Sequence, residues 1–97
     1  MGARENKVEL YLDERVRKLG GITRKWVSPN HVGVPDRIVI LHGVVWFVEV
    51  KTEDGKLSTL QSREIRRLQD HGATVKVVYG KTDVDELVAT LAKAVDA

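Results

Sequence analysis

The sequence predicts an α/β domain in the order helix, three strands, helix, strand, helix. Apolar residues recur at helical spacing in three separate segments, and β-branched and aromatic residues crowd on both sides of the dipeptide His42-Gly43. Glycines and short polar clusters mark the boundaries between these runs. The 97 residues read as one domain, 1–97, with no repeat, low-complexity tract or linker-like stretch. A chain of this size buries only about 60 to 65% of the surface its unfolded form exposes, so pairing with a second copy is a natural supplement.

The first helix is predicted from about Arg4 to Leu19. Val8, Leu12, Val16 and Leu19 form its apolar stripe, and Gly20-Gly21 stops it. Rotation of about 100° per residue puts Glu5 near the centre of that stripe and Glu9 toward one edge. These acids are either favourable charges near a helix N-terminus or carboxylates turned inward. Ile22 to Val27 reads as a short strand. Ser28 to Val34 reads as a loop in which Pro29, Asn30 and Gly33 supply the turns. His31 in this loop is read as simply solvated, with a phosphate contact as the alternative. His42 and His71 fall at a turn and a helix end, and no two histidines have metal-ligand spacing.

The stretch from Gly33 to Lys51 is the most informative. Ile38 to Leu41 and Val44 to Val48 read as two buried strands of a hairpin whose turn is His42-Gly43. A two-residue loop places Leu41 opposite Val44, Ile40 opposite Val45 and Ile38 opposite Phe47. Asp36 then faces Glu49, with Lys51 on the same side of the sheet. A four-residue loop keeps this register, whereas a three-residue loop sends the two carboxylates to opposite faces. Opposed carboxylates with Cβ atoms roughly 4.5 to 5.5 Å apart repel each other. A divalent cation would offset the repulsion, and hard oxygen donors suit magnesium. The adjacent lysine adds positive charge where a phosphate could dock.

Thr52 to Lys56 reads as a loop, and Ser58-Thr59-Leu60-Gln61 matches a capping box that opens the second helix. Gln61 shares a face of that helix with Ile65 and Leu68, so it also starts on the side turned to the sheet. Arg63, Arg66 and Arg67 lie on the opposite face, and the first helix carries Arg4, Lys7, Arg15, Arg17 and Lys18. Such charge runs are ordinarily solvated faces. Gly72 closes the second helix and Ala73 to Tyr79 makes an apolar strand. Thr82 is predicted to cap a last helix with Val84, Leu87, Val88, Leu91 and Val95 inward.

The absence of cysteine excludes disulfides and thiolate metal sites. A net charge of +2 and an isoelectric point near 9.0 permit nucleic-acid binding without requiring it. No secretory or membrane-spanning segment is read in the sequence, which predicts a cytoplasmic protein with no membrane partner.

At Pro35-Asp36, Glu49-Val50-Lys51 and Gln61 the chain resembles the PD-(D/E)xK nucleases, and among them the virus-type replication-repair nuclease (VRR-NUC) domain. Context strengthens the resemblance: Gly33 before Val34-Pro35-Asp36-Arg37, the short hairpin, and Gly55-Lys56-Leu57-Ser58 leading to Gln61. The likeness runs from about Glu5 to Tyr79. It implies a restriction-endonuclease-like core with a mixed central sheet flanked by helices, and metal-dependent hydrolysis of DNA phosphodiester bonds. By the same resemblance Asp36, Glu49 and the backbone carbonyl of Val50 would hold Mg2+, with Mn2+ able to substitute. Lys51 would orient or deprotonate the attacking water, and Gln61 would steady Lys51 or the phosphate. Glu9 would complete the acidic cluster, with Glu5 as its competitor. Stand-alone domains of this type imply a homodimer acting on branched DNA, the four-way (Holliday) junction, in DNA repair within a bacterial or phage-infected cell. The alternatives are a non-catalytic nucleic-acid-binding module, a flap or duplex nuclease that relies on a partner protein, and a structural domain without a ligand.

Overall fold

A computed structural model describes residues 3–96, and the elements follow the predicted order. They are α1 (Ala3–Lys18), β1 (Ile22–Lys25), β2 (Arg37–Leu41), β3 (Val44–Lys51), α2 (Thr59–Asp70), β4 (Val75–Tyr79) and α3 (Gly80–Asp96). The four strands form one sheet in the order β1-β2-β3-β4. The first three are antiparallel and β4 runs parallel to β3, so the sheet is mixed.

The hairpin has the predicted register, with Leu41 opposite Val44, Ile38 opposite Phe47 and Arg37 opposite Val48. Its two loop residues, His42 at φ 45° and Gly43 at φ 86°, both take positive φ. That backbone matches the right-handed twist of the flanking strands, and glycine adopts it without steric cost. The strand after the turn runs on to Lys51, three residues beyond the predicted end at Val48. Parallel pairing of Lys51 with Tyr79 carries it there.

Side-chain alternation sorts the sheet into two faces. Val39, Leu41, Trp46, Val48, Val50 and Val78 point to one side, where they form the main core with α1 and α3. Val8, Leu12 and Val16 come from α1, and Val84, Leu87, Val88 and Leu91 from α3, with Val95 packed at the margin. A fully buried leucine such as Leu12 or Leu91 contributes on the order of 1.5–3 kcal/mol relative to exposure. Helix α2 lies against the other face, where Ile65 and Val75 are buried.

Several boundaries differ from the sequence reading. Gly20 at φ 91° closes α1, with Gly21 N–H donating to Val16 O and Gly20 N–H to Arg17 O, and this turn leaves Leu19 outside the stripe and 36% exposed. The first strand stops at Lys25 instead of Val27, because its last ladder bond is Trp26 N–H to Asp36 O and Pro35 beyond it has no N–H to pair. The fourth strand starts at Val75, since the Ala73 amide is spent on Leu68 O in the turn that ends α2. Thr82 does not cap α3. The helix begins at Gly80, and the Asp83 side chain accepts the Tyr79 N–H at 2.8 Å. Among the described residues, no helix is long and apolar enough to cross a membrane.

Candidate active site

Because β3 and β4 are parallel, their C-terminal ends lie side by side at Lys51 and Tyr79. Helices α2 and α3 both begin at that end, and open α/β sheets place ligands beyond the carboxyl ends of their strands. The sequence-predicted residues Asp36, Glu49, Lys51 and Gln61 all gather there.

Asp36 precedes β2 and continues the hairpin register by one step, which sets it beside Glu49. One carboxylate oxygen, Oδ2, accepts the Val50 N–H at 2.8 Å, so Asp36 is fixed to the strand that carries its partner. Glu49 is 1% exposed. Its Oε2 accepts from Gln61 Nε2 at 2.9 Å and stands 3.3 Å from Lys51 Nζ. Its other oxygen, Oε1, is buried with no hydrogen-bond partner. Burial, and then the negative charge of Asp36, push the Glu49 carboxyl up to about 7, against the opposing pull of Lys51.

Gln61 joins the two readings made of it. Its Oε1 accepts Ser58 N–H at 2.9 Å while Ser58 Oγ accepts Gln61 N–H at 3.1 Å, which completes the capping box. The same side chain then spends its amide hydrogen on Glu49, not on Lys51. Gly33 makes this possible. A Cβ there would come within 2.8 Å of Leu60 O, and its φ of 92° is glycine territory, so the loop before Pro35 can lie directly on the first turn of α2.

Of the two first-helix acids, Glu9 turns inward and is 3% exposed, whereas Glu5 is half-buried. Glu9 Oε1 stands 3.6 Å from both Lys25 Nζ and Arg37 Nε. Burial and the nearby Asp36 raise its pKa, and Lys25 and Arg37 hold it down. Arg37 follows Asp36 on β2 and so faces the opposite side of the sheet, toward α1, where Asp13 Oδ1 lies 3.2 Å from its Nε. Among the described residues, no three acid or histidine side chains converge as a metal cluster. The oxygen donors brought together on the α2 side are the carboxylates of Asp36 and Glu49.

The residues fit a hard divalent cation on that side. Magnesium usually takes one or two protein carboxylates and keeps several waters. A buried, unpartnered Glu49 Oε1 beside a second carboxylate is the donor arrangement such an ion stabilises.

A family model described as the VRR-NUC domain matches residues 5–82 of the chain. "Putative nuclease p44" of Acyrthosiphon pisum secondary endosymbiont phage 1 is 46% identical over 86 residues, covering 88% of this chain and 91% of that protein. The chain belongs to the VRR-NUC family. Its fold agrees: a solved structure described as a VRR_NUC domain superimposes with a TM-score of 0.85 at 42% identity, covering 91% of this chain and 97% of that one. Membership makes this VRR-NUC chain a nuclease, and its αβββαβα arrangement is the fold of the family.

The VRR-NUC chain also holds groups that the sequence reading passed over. Glu64 is 9% exposed, and its Oε1 lies 2.8 Å from His31 Nε2. His31 is therefore not simply solvated; it ties the β1–β2 loop to α2. The inward placement of Glu64 was legible, since it stands three residues after Gln61 on the same helix face, but its pairing with His31 was not. Lys25 and Arg37 as counter-charges of Glu9 were hidden by a strand pairing that no local pattern announces.

Proposed function

We propose that this VRR-NUC chain is a magnesium-dependent DNA endonuclease of the PD-(D/E)xK type that hydrolyses phosphodiester bonds in branched DNA. The observation that carries the reading is the buried Glu49 carboxylate, held beside Asp36 with one oxygen shared by Lys51 and Gln61 and the other unpartnered.

Asp36, Glu49 and the carbonyl of Val50 would hold the ion, and manganese suits the same oxygen donors. When bound, it supplies charge neutralisation and Lewis acidity to the phosphodiester. Asp36 is positioned by the Val50 amide and Glu49 by Gln61, so both carboxylates are fixed before substrate arrives. Lys51, only 9% exposed, presents its ammonium beside Glu49, where it stabilises charge developing on the phosphate and orients the attacking water. Gln61 acts through Glu49, fixing its rotamer by a hydrogen bond anchored in the helix cap. Glu9 adds negative charge from the α1 side, moderated by Lys25 and Arg37, and completes the acidic surroundings of Asp36.

A homodimer acting on four-way junctions is the assembly proposed. In support, the α2 side of the sheet leaves Ile22 46% and Val45 45% exposed, apolar surface that a second copy could cover. A two-fold pair would present two sites to two strands of a symmetric junction.

Incubation with labelled four-way junction and linear duplex, in magnesium and in chelator, tests the proposal. Magnesium-dependent cleavage with junction preference is the expected result. Binding without cleavage in magnesium would make the chain a non-catalytic module, and equal cutting of linear duplex by a monomer would make it a duplex nuclease dependent on a partner.

A further inference from the structure

On the α1/α3 side of the same strand ends lies a second feature, a cavity of about 250 Å³ between the N-terminal turns of α1 and α3. Arg4 and Lys7 line it from α1, Lys81 from α3, and Thr52 and Glu53 from the loop that follows Lys51. Three cations thus face one carboxylate. Elsewhere on α1, Arg15 is engaged with Asp85 and Tyr11, and Lys18 with Glu14 at 3.2 Å. In the cavity, only Arg4 has an ion pair among the described residues, a solvent-exposed one to Asp54 at 4.0 Å. Such a pair contributes little.

Of these cations, Lys81 is also held in place. Lys81 Nζ stands 5.3 Å from the centroid of the Tyr11 ring, and the Tyr11 hydroxyl donates to Asp85 Oδ1 at 2.6 Å. Gly80 opens α3 with φ 80°, and a Cβ there would come within 2.5 Å of Glu53 Cγ. The Glu53 side chain therefore packs directly on the start of α3, where its carboxylate meets the positive end of the helix dipole and leaves Lys7 and Lys81 as the cations without a carboxylate partner among the described residues. Thr52 joins this cavity to Lys51 by a single peptide bond.

We propose that this cavity is a phosphate subsite for the DNA strand being cut, holding a backbone phosphate a few nucleotides from the scissile one. The inference rests on the nuclease reading for its substrate. The carboxylates and Lys51 lie on the α2 side of the strand ends and the cavity on the α1/α3 side. A strand drawn over that edge passes from one to the other. Packed layers are separated by on the order of 10 Å, and at about 3.4 Å of rise per nucleotide that is about three nucleotides. Lys7 and Lys81 supply the charge and Thr52 a hydroxyl donor. None of the three reads a base, so the subsite positions the strand without sequence preference.

The test is DNA affinity as a function of salt in chelator, on the full chain, for wild type, Lys7→Ala, Lys81→Ala, the double variant, Lys81→Arg and the remote control Lys93→Ala. Each alanine at the cavity is expected to raise Kd about three- to tenfold and to reduce the slope of log affinity against log salt by about one. Lys81→Arg should restore the slope and Lys93→Ala leave it unchanged. A scan of single neutral methylphosphonates along the cleaved strand should find a position, distinct from the scissile one, that weakens wild type but not the double variant. Slopes and methylphosphonate sensitivities equal to wild type in the double variant overturn the subsite, as does absence of DNA binding at low salt. Cleavage that still requires Lys51 would leave the nuclease reading standing in the first case. Cavity-dependent binding without cleavage in magnesium would sink the nuclease reading and keep the subsite.

Discussion

Gln61 Nε2 donates to Glu49 Oε2 at 2.9 Å, and the other end of the same amide closes the cap of α2. A helix terminus is thereby locked to the acid at the centre of the site. Separating the two duties requires a substitution that keeps one and spoils the other. Gln61→Glu does so, because glutamate serves a capping box as well as glutamine but sets a carboxylate against Glu49. Helix content by circular dichroism should hold while cleavage falls about 10- to 100-fold, the range seen when residues that orient metal ligands are lost. Gln61→Ala should lower both stability and activity. Unchanged cleavage in Gln61→Glu would show that the contact to Glu49 has no part in the chemistry.

Asp36→Asn is expected to leave the metal-free protein no less stable than wild type. Asparagine Oδ1 can still accept the Val50 amide, and one of two neighbouring negative charges is gone, a relief on the order of a few tenths to 1 kcal/mol. Saturating magnesium should reverse the order by stabilising only the chain that binds it. Urea midpoints in chelator and in magnesium measure this, and an identical response of both proteins to the metal would count against an ion at Asp36 and Glu49.

Metal-free stability should depend on pH through Glu49. Its folded pKa of about 7 lies above the ordinary value of 4.5, so between those two pH values the folded state holds more protons than the unfolded. Stability from this group is greatest below about 4.5, falls as pH rises, and levels off above about 7. Glu49→Gln, which mimics the protonated form, should match wild type near pH 5 and exceed it at pH 8 by about 1–3 kcal/mol in chelator. Magnesium must displace that proton, so metal affinity should rise over the same interval. A stability difference that does not change between pH 5 and 8 would contradict the burial argument.

Much of this was legible in the sequence because it is local. The dipeptide His42-Gly43 fixed the hairpin register, and register alone put Asp36, Glu49 and Lys51 on one side. Ser58 and Gln61 announced the start of α2 by their spacing. The helix start at Gly80 was missed because Asp83 caps backward onto Tyr79, a contact that a threonine two residues into the helix mimics in sequence. Lys25 and Arg37 around Glu9 depend on β1 pairing with β2 across a loop, and the His31–Glu64 contact joins residues 33 positions apart. Non-local pairs of that kind leave no periodic trace.

That His31–Glu64 contact should show as coupling. His31→Ala and Glu64→Gln are each expected to destabilise by about 0.5–1.5 kcal/mol, and the double variant by less than their sum. Urea denaturation of the four proteins at pH 7 closes the cycle, and strict additivity would mean that the loop is held by Gly33 and its neighbours alone.

The most direct test of the site is cleavage of labelled four-way junction by wild type and Lys51→Ala, each in magnesium and in chelator, with DNA affinity and circular dichroism measured on the same preparations. Lys51 lies at the open strand end, so its removal leaves the apolar core intact. Wild type should cut only with magnesium, and Lys51→Ala should bind and fold but not cut. Retained cleavage by purified Lys51→Ala, or wild-type cleavage undiminished by chelator, would contradict the account.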